Sequence, residues 1–144
     1  MPHRPSILLI DDSPGECELF RLALSQTGFD AVLFDESETD AALHLLRVET
    51  KVDVKLIILD WRLRNQTGTV FLERLRADTR STAIPVVVFT TSDDASDMMT
   101  AYASGANGYV VKPGTFDELV QCVRDMCRYW IDLNRTPYLV GSTC

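Results

Sequence analysis

The chain has 144 residues, enough for one well-packed core but too few for two ordinary domains. Its net charge of -7 at pH 7 argues against nucleic-acid binding, which usually needs a basic face. No apolar run approaches the roughly 20 residues that span a bilayer. The start, Met1 to Pro5, leads into a short strand rather than a signal-peptide core, so we expect a cytoplasmic protein without a membrane partner.

The four cysteines are scattered, with no CxxC spacing and no pairing with histidine. A zinc site is therefore not expected. Cys17, Cys122 and Cys127 lie in helix-like segments and are predicted to be small core or surface residues. Cys144 is a terminal thiol that is free to form adventitious disulfides.

The first element is a short apolar strand from Ser6 to Ile10, which ends in an acidic pair. Ser13 and Pro14, with Glu16 close behind, are typical of a helix N-terminus, and Gly28 is the predicted stop for that helix. An apolar stripe between them is predicted from Leu19, Phe20, Leu22 and Ala23. The later elements are predicted as strands at 31–34, 54–60, 84–90 and 108–111, and helices at 37–48, 67–77, from Ser92 or Asp93 to Gly105, and 116–133.

The stretch from Leu56 to Asp60 organises this pattern. Four apolar residues run without alternation into a carboxylate, and turn-like sequence follows at 64–68. Such a run suits a strand buried on both faces of a parallel sheet. Five repetitions of strand then helix predict an α/β fold with a five-stranded, doubly wound parallel sheet, (βα)5. We expect one domain over 1–134 and a short C-terminal tail over 135–144, with no output domain.

Chemically distinctive residues lie at or just after the carboxyl ends of four predicted strands: Asp11, Asp12, Asp60, Thr90 and Lys112. Each alone has an ordinary role, as helix-terminal charge, cap or solvated cation, but the combination at one sheet edge is far more specific. Three close carboxylates repel one another unless a cation neutralises them, and hard oxygen ligands favour Mg²⁺. A hydroxyl and an ammonium opposite them would suit a phosphoryl group on a carboxylate, and aspartate is an accepted nucleophile in phosphoryl transfer.

From Ser6 to Leu133 the chain resembles the receiver domain of two-component response regulators, the CheY-like class. The motifs are Ile-Asp-Asp at 10–12, Leu59-Asp60 with Gly68 eight residues on, Pro85 through Thr91, and Gly-Tyr-Val-Val-Lys-Pro at 108–113. The resemblance implies the flavodoxin-like receiver fold. It also implies that Asp60 accepts a phosphoryl group from a histidine kinase.

By the same resemblance, Asp12 and Asp60 would bind Mg²⁺ directly, the backbone carbonyl of Arg62 would complete the protein ligands, and Asp11 would act through water. These four positions form the implied metal site.

The resemblance also assigns a switch. Thr90 and Lys112 would hold the phosphoryl oxygens, and Tyr109 matches the aromatic residue that moves inward as the threonine is drawn to the phosphate. Plain core packing is the alternative role for Tyr109.

Two features are similar to the small single-domain regulators that partner bacterial phytochromes and often dimerise through their terminal region. These are Thr-Thr-Ser at 90–92 with Lys-Pro at 112–113, and a long last helix carrying Tyr129 and Trp130. The resemblance implies a phytochrome kinase as partner and a homodimer through the C-terminal helix. The aromatic pair could instead close the core against the sheet, and both interpretations remain open.

The chain also departs from the receiver pattern. Many receivers have proline four residues after the phosphoacceptor, where this chain has Arg64, and the immediate neighbour is the bulky Trp61. Arg62 and Arg64 place positive charge beside the site. Our hypothesis is that they alter the phosphoryl lifetime or kinase docking.

The leading prediction is a signalling phosphoprotein that catalyses only its own Mg²⁺-dependent phosphoryl transfer and dephosphorylation, and acts through a downstream protein target. The alternative is a receiver-like interaction module that never carries phosphate. A haloacid-dehalogenase-type phosphohydrolase is disfavoured, because Arg62 stands where its second aspartate would be. A flavodoxin-like flavoprotein is disfavoured too, since no phosphate loop follows the first strand.

Overall fold

The computed structural model describes residues 4–48, 53–64 and 66–137. Its main sheet has five parallel strands in the spatial order β2-β1-β3-β6-β7. The strands are β1 (Ser6–Ile10), β2 (Val32–Glu36), β3 (Val54–Leu59), β6 (Val86–Thr90) and β7 (Gly108–Val111). Two further two-residue strands, β4 (Arg62–Leu63) and β5 (Gln66–Thr67), form a small antiparallel hairpin. The predicted doubly wound parallel sheet is confirmed.

Helices cover both faces of the sheet. They are α1 (Pro14–Thr27), α2 (Thr39–Val48), α3 (Thr69–Ala77), α4 (Ala95–Ser104) and α5 (Phe116–Cys127). Because side chains alternate along a strand, Leu8 and Ile10 of β1 pack with α2, α3 and α4, whereas Ile7 and Leu9 pack with α1 and α5. Among the described residues, no helix is long and apolar enough to cross a membrane.

The helix start predicted after β1 is confirmed. The side chain of Ser13 accepts a hydrogen bond from the backbone N–H of Glu16 at 3.2 Å, and Pro14 occupies the first turn. Gly28 ends α1 with φ of 75°, a left-handed conformation that glycine adopts without steric cost.

Several local predictions differ from the structure; among them, helices α2 and α3 each begin two residues later than predicted. The stretch after Asp60, predicted as a turn, contains the β4–β5 hairpin. Helix α4 begins two to three residues later than predicted, because Asp94 caps it by accepting a hydrogen bond from the backbone N–H of Ser96 at 2.8 Å. Leu19 and Leu22, assigned to the apolar stripe of α1, are exposed.

The last predicted helix is present in two parts. Helix α5 ends at Cys127 and continues as a π-helical segment over Arg128–Leu133. Trp130 packs on the core beside Gly108, whereas Tyr129 is 51% exposed. Core packing is therefore observed for Trp130, whereas an interface role for Tyr129 stays a prediction. Of the predicted tail, 138–144 with Cys144 lies outside the described residues.

Candidate functional site

The register of the sheet brings three carboxylates together. The backbone N–H of Asp60, directly after β3, donates to the carbonyl of Ile10 at the end of β1 at 2.9 Å. Asp11 and Asp12 follow Ile10, so all three acids lie at the carboxyl edge of adjacent strands. Carboxylate oxygens of Asp11, Asp12 and Asp60 lie within 4.8 Å of one another.

Lys112 supplies the positive charge that faces this cluster. Its backbone N–H donates to the carbonyl of Thr90 at 2.8 Å, which continues the pairing of β7 with β6. Its Nζ lies 3.0 Å from Asp11 Oδ2 and 3.5 Å from Asp60 Oδ2. Glu16, in the first turn of α1, lies 3.8 Å away, a contact that the sequence did not indicate. The one ammonium group of Lys112 thus lies within ion-pair distance of three carboxylates.

Thr90 and Tyr109 lie where the sequence predicted them. Thr90 ends β6 and is buried, with its hydroxyl beside the Asp60 carboxylate. Tyr109, in β7, is half-buried, and its hydroxyl donates to the carbonyl of Ser92 at 2.9 Å. The Ser92 backbone N–H lies 3.4 Å from the Thr90 hydroxyl oxygen. The two predicted switch residues are therefore linked through Ser92.

The electrostatics of the site depend on burial. Desolvation raises the pKa of Asp60 above its ordinary value, while Lys112 and hydrogen bonds from the Thr90 hydroxyl and the Arg62 backbone N–H oppose the rise. Burial alone would lower the pKa of Lys112, but the neighbouring carboxylates of Asp60 and Asp11 outweigh it, and the pKa of Lys112 is raised. Lys112 therefore stays charged at neutral pH.

The carboxylate cluster fits a divalent cation by its chemistry. It offers oxygen donors only, from three acids of which one is buried and two are partly exposed, so solvent can also reach the site. Mg²⁺ prefers such a set, bound by one or two carboxylates together with waters. The ammonium of Lys112 alone does not balance these three acids together with Glu16. The site therefore keeps a net negative charge that a cation can neutralise.

Arg62 lies beside the site, but its side chain pairs with a residue of α4 and not with the carboxylate cluster. Its guanidinium contacts Asp97 in the first turn of α4 at 2.6 Å, and Ser92 Oγ donates to the same carboxylate oxygen at 2.6 Å. Arg64 is exposed. The sequence flagged the charge of both arginines, but nothing in it singled out Asp97 as a partner.

Cys17, close to the site, is partly buried and packs against the core. Cys17 donates its Sγ–H to the carbonyl of Asp11 at 3.5 Å. Desolvation is the main reason that its pKa rises to about 11, so the thiolate that reacts as a nucleophile is scarce at neutral pH.

The response regulator receiver domain family matches residues 7–124, and the protein belongs to this family. It is 33% identical over 134 residues to a probable methanogenesis regulatory protein, FilR2, of Methanothrix harundinacea, a match that covers 91% of this chain and 86% of that protein. It is 31% identical over 109 residues to the chemotaxis protein CheY1 of Helicobacter pylori, covering 76% and 86% respectively.

Solved structures agree on the fold. The Mn²⁺-bound form of the response regulator Rcp1 matches with a TM-score of 0.78 and 27% identity, covering 92% of this chain and 99% of that one. The phosphorylated cyanobacterial phytochrome response regulator RcpA matches with a TM-score of 0.83 over 94% and 99% of the two chains; at 24% identity it bears on the fold alone. The flavodoxin-like receiver fold that the resemblance implied is confirmed.

Proposed function

We propose that the protein is a response regulator whose Asp60 accepts a phosphoryl group from a histidine kinase. The observation that carries the proposal is the position of Lys112 Nζ, which is 3.5 Å from Asp60 Oδ2 and 3.0 Å from Asp11 Oδ2. A cation next to a carboxylate nucleophile can neutralise the charge that a phosphoryl group brings to it. In an interaction module without phosphate chemistry, a partly buried cluster of this charge would only cost stability.

The proposed transfer uses groups that already face one another. A carboxylate oxygen of Asp60 attacks the phosphorus of a phosphohistidine, a P–O bond forms, the P–N bond breaks, and the imidazole leaves and takes up a proton. Lys112 pairs with one oxygen of the new acyl phosphate, and the Thr90 hydroxyl donates to another. Hydrolysis by water returns the carboxylate and releases inorganic phosphate.

Asp12 and Asp60 would hold Mg²⁺ directly, with the backbone carbonyl of Arg62 as a further ligand and Asp11 acting through water. The bound ion would neutralise phosphoryl oxygens. The oxygen-only donor set of the cluster supports this assignment. That a regulator of the same fold, Rcp1, has been solved in an Mn²⁺-bound form also supports a divalent ion.

The proposed response to phosphorylation passes through Ser92. When Thr90 turns to the phosphoryl group, its hydroxyl no longer faces the Ser92 N–H, and the Ser92 carbonyl that Tyr109 binds shifts with the loop. Tyr109 then has room to move inward. This biases an existing equilibrium rather than creating a new state.

The proposed partners are a histidine kinase of the phytochrome class and a downstream protein target. The resemblance of residues 90–92, 112–113 and the last helix to phytochrome-partner regulators supports the kinase class, and so does the fold shared with the phytochrome response regulator RcpA. A homodimer through the C-terminal segment is also proposed, because Tyr129 and Leu133 are both more than half exposed there.

Intact-mass measurement with acetyl phosphate tests the phosphoryl transfer. We expect a Mg²⁺-dependent phosphoryl adduct on the wild type, no adduct on Asp60→Asn, and a normal adduct on Asp40→Asn, which removes an exposed carboxylate on α2 that pairs with Arg74 of α3. If the folded wild type carries no adduct with acetyl phosphate, phosphoramidate or a purified kinase, the proposal is wrong. The interaction module that never carries phosphate would then be the better interpretation.

A further inference from the structure

One carboxylate oxygen of Asp97 accepts three hydrogen bonds. Arg62 donates to Oδ2 from Nε at 3.1 Å and from Nη2 at 2.6 Å, and Ser92 Oγ donates to the same oxygen at 2.6 Å. The Asp97 side chain is 15% exposed, although the arginine side chain is 61% exposed. The pKa of Asp97 is lowered, first by the hydrogen bond from Ser92 and then by Arg62, which indicates a charged and well-held carboxylate. We call these three residues the α4 latch.

The two latch residues outside α4, Arg62 and Ser92, adjoin the candidate site. Arg62 is two residues after Asp60, and its backbone N–H faces the Asp60 carboxylate. Ser92 is two residues after Thr90, and its backbone groups contact Thr90 and Tyr109. Asp97 alone belongs to α4. The latch therefore connects the loops after β3 and β6 directly to the first turn of α4.

Helix α4 depends on such a connection because little apolar packing holds it. Among its ten residues only Ala101 is buried, whereas Met99 and Tyr102 are 74% and 51% exposed. A helix with so few buried apolar groups is among the elements that open at low free-energy cost. Polar contacts at its N-terminus then decide how firmly it is held.

We propose that the α4 latch holds the first turn of α4 to the site while Asp60 is unmodified, and that a phosphoryl group on Asp60 opens it by attracting the guanidinium of Arg62. The second half of this inference rests on the proposed function. A guanidinium binds phosphoryl oxygens in a planar, two-donor geometry and gains more from a dianion than from a single carboxylate. An ion pair with one exposed partner contributes little to stability, so breaking the contact between Arg62 and Asp97 costs less than the guanidinium gains from the phosphoryl group.

The closed latch is tested first, in the unphosphorylated full chain. Amide hydrogen exchange over 95–104 would be compared for the wild type, Arg62→Ala and Asp97→Asn. Arg62→Ala keeps the backbone groups of residue 62 and leaves α4 itself unchanged, so an effect on α4 must come through the ion pair. We expect exchange about 1.4- to fivefold faster, the fold-change that corresponds to about 0.2–1 kcal/mol for a pair with one exposed partner.

The matched control is Arg74→Ala, which breaks the exposed pair between α3 and Asp40 of α2. It should leave exchange in α4 unchanged. The double variant of Arg62 and Asp97 should exchange no faster than Asp97→Asn alone, because both single changes break the same contact. Unchanged α4 exchange in Arg62→Ala would overturn the latch.

Opening of the latch is tested by repeating the exchange after phosphorylation with acetyl phosphate and Mg²⁺, with the adduct verified by intact mass. We expect α4 exchange in the wild type to rise at least to the level of unmodified Arg62→Ala, and a smaller rise when Arg62→Ala is phosphorylated, because only the contact through Ser92 is left to change there. If the wild type carries the adduct but its α4 exchange is no faster, the proposed opening is wrong. It is also wrong if phosphorylation speeds α4 exchange in Arg62→Ala as much as in the wild type. Absence of the adduct would refute the proposed function and the opening together, while the first comparison still decides the closed latch.

Discussion

Lys112 and Asp11 form a buried ion pair across the sheet edge although 101 residues separate them in the chain. Their side chains are only 11% and 3% exposed, and Nζ lies 3.0 Å from Oδ2. Three strands converge at this pair, since Asp11 follows β1, Lys112 follows β7, and Asp60, the second partner of the lysine, follows β3. The pair thus ties the structure of the sheet to the chemistry of the site.

Lys112→Ala should destabilise the fold by about 3 kcal/mol, the low end of the range for a buried pair that loses one partner. The low end applies because Asp60 and Glu16 are partly exposed, so water can solvate these carboxylates once the lysine is gone. Added Mg²⁺ should recover part of the loss, because it would neutralise the same carboxylates. The measurement is urea denaturation with and without Mg²⁺.

The control for this prediction is Lys55→Ala, which removes an exposed lysine 3.5 Å from Asp53 and should change the unfolding free energy by less than about 1 kcal/mol. Equal effects of the two substitutions would contradict the assigned role of Lys112.

Asp60→Asn should be more stable than the wild type at neutral pH without Mg²⁺. Burial raises the pKa of folded Asp60 above the ordinary value of 3.8, so folding disfavours its charged form. As pH rises from 3.8 through the folded pKa, the unfolded chain gives up the Asp60 proton first, and the wild type loses stability. Below 3.8 both states hold the proton, so the advantage of the variant should disappear there. Thermal unfolding of both proteins across this range checks the sign, and a difference independent of pH would contradict it.

Mg²⁺ should stabilise the wild type by mass action, by about 2.7 kcal/mol at 100 times its dissociation constant. Asp12→Asn should lose most of this gain, because it removes one of the two acids proposed to bind the ion directly. Asp40→Asn, which alters an exposed acid on α2, should keep it. Unfolding curves at increasing Mg²⁺ provide the test, and equal gains in both variants would exclude the cluster as the site.

Gly68→Ala should destabilise the fold by about 1–3 kcal/mol through overpacking. A Cβ at Gly68 would lie 2.7 Å from the Leu59 side chain and 2.9 Å from the Trp61 ring, both of which are buried. Trp61 is also the residue after Asp60, so its fluorescence reports the disturbance at the site. Gly114→Ala is the control, because a Cβ there meets nothing within 4 Å. Similar unfolding midpoints for both variants would contradict the packing argument.

The sequence was sufficient to predict the fold and the main members of the site. Unbroken apolar runs such as 56–59 occur where a strand is covered on both faces, and the carboxyl ends of parallel strands meet at one edge. Asp11, Asp60 and Lys112 could therefore be brought together without coordinates, since each directly follows a strand. The proximity of these residues is confirmed, whereas their roles in phosphoryl transfer stay predictions.

Contacts that depend on how helices sit on the sheet could not be predicted. The pairing of Arg62 with Asp97 requires the position of the first turn of α4, which the cap at Asp94 and packing against β7 determine together. Glu16 was assigned to its helix N-terminus, and its approach to Lys112 depends on the angle at which α1 leaves β1. Periodicity alone also assigned Leu19 to the apolar stripe of α1, although that side chain is exposed.

The most direct test of the central claim is borohydride reduction of the protein after treatment with acetyl phosphate and Mg²⁺, followed by peptide sequencing by mass spectrometry. Hydride reduces an acyl phosphate to the alcohol, so a phosphorylated aspartate is converted to homoserine. We predict homoserine in place of Asp60 in the treated wild type, and none there when Mg²⁺ is withheld. Homoserine at Asp11 or Asp12 instead, or none at all in protein that carries a phosphoryl adduct, would contradict the assignment of Asp60 as the phosphoacceptor.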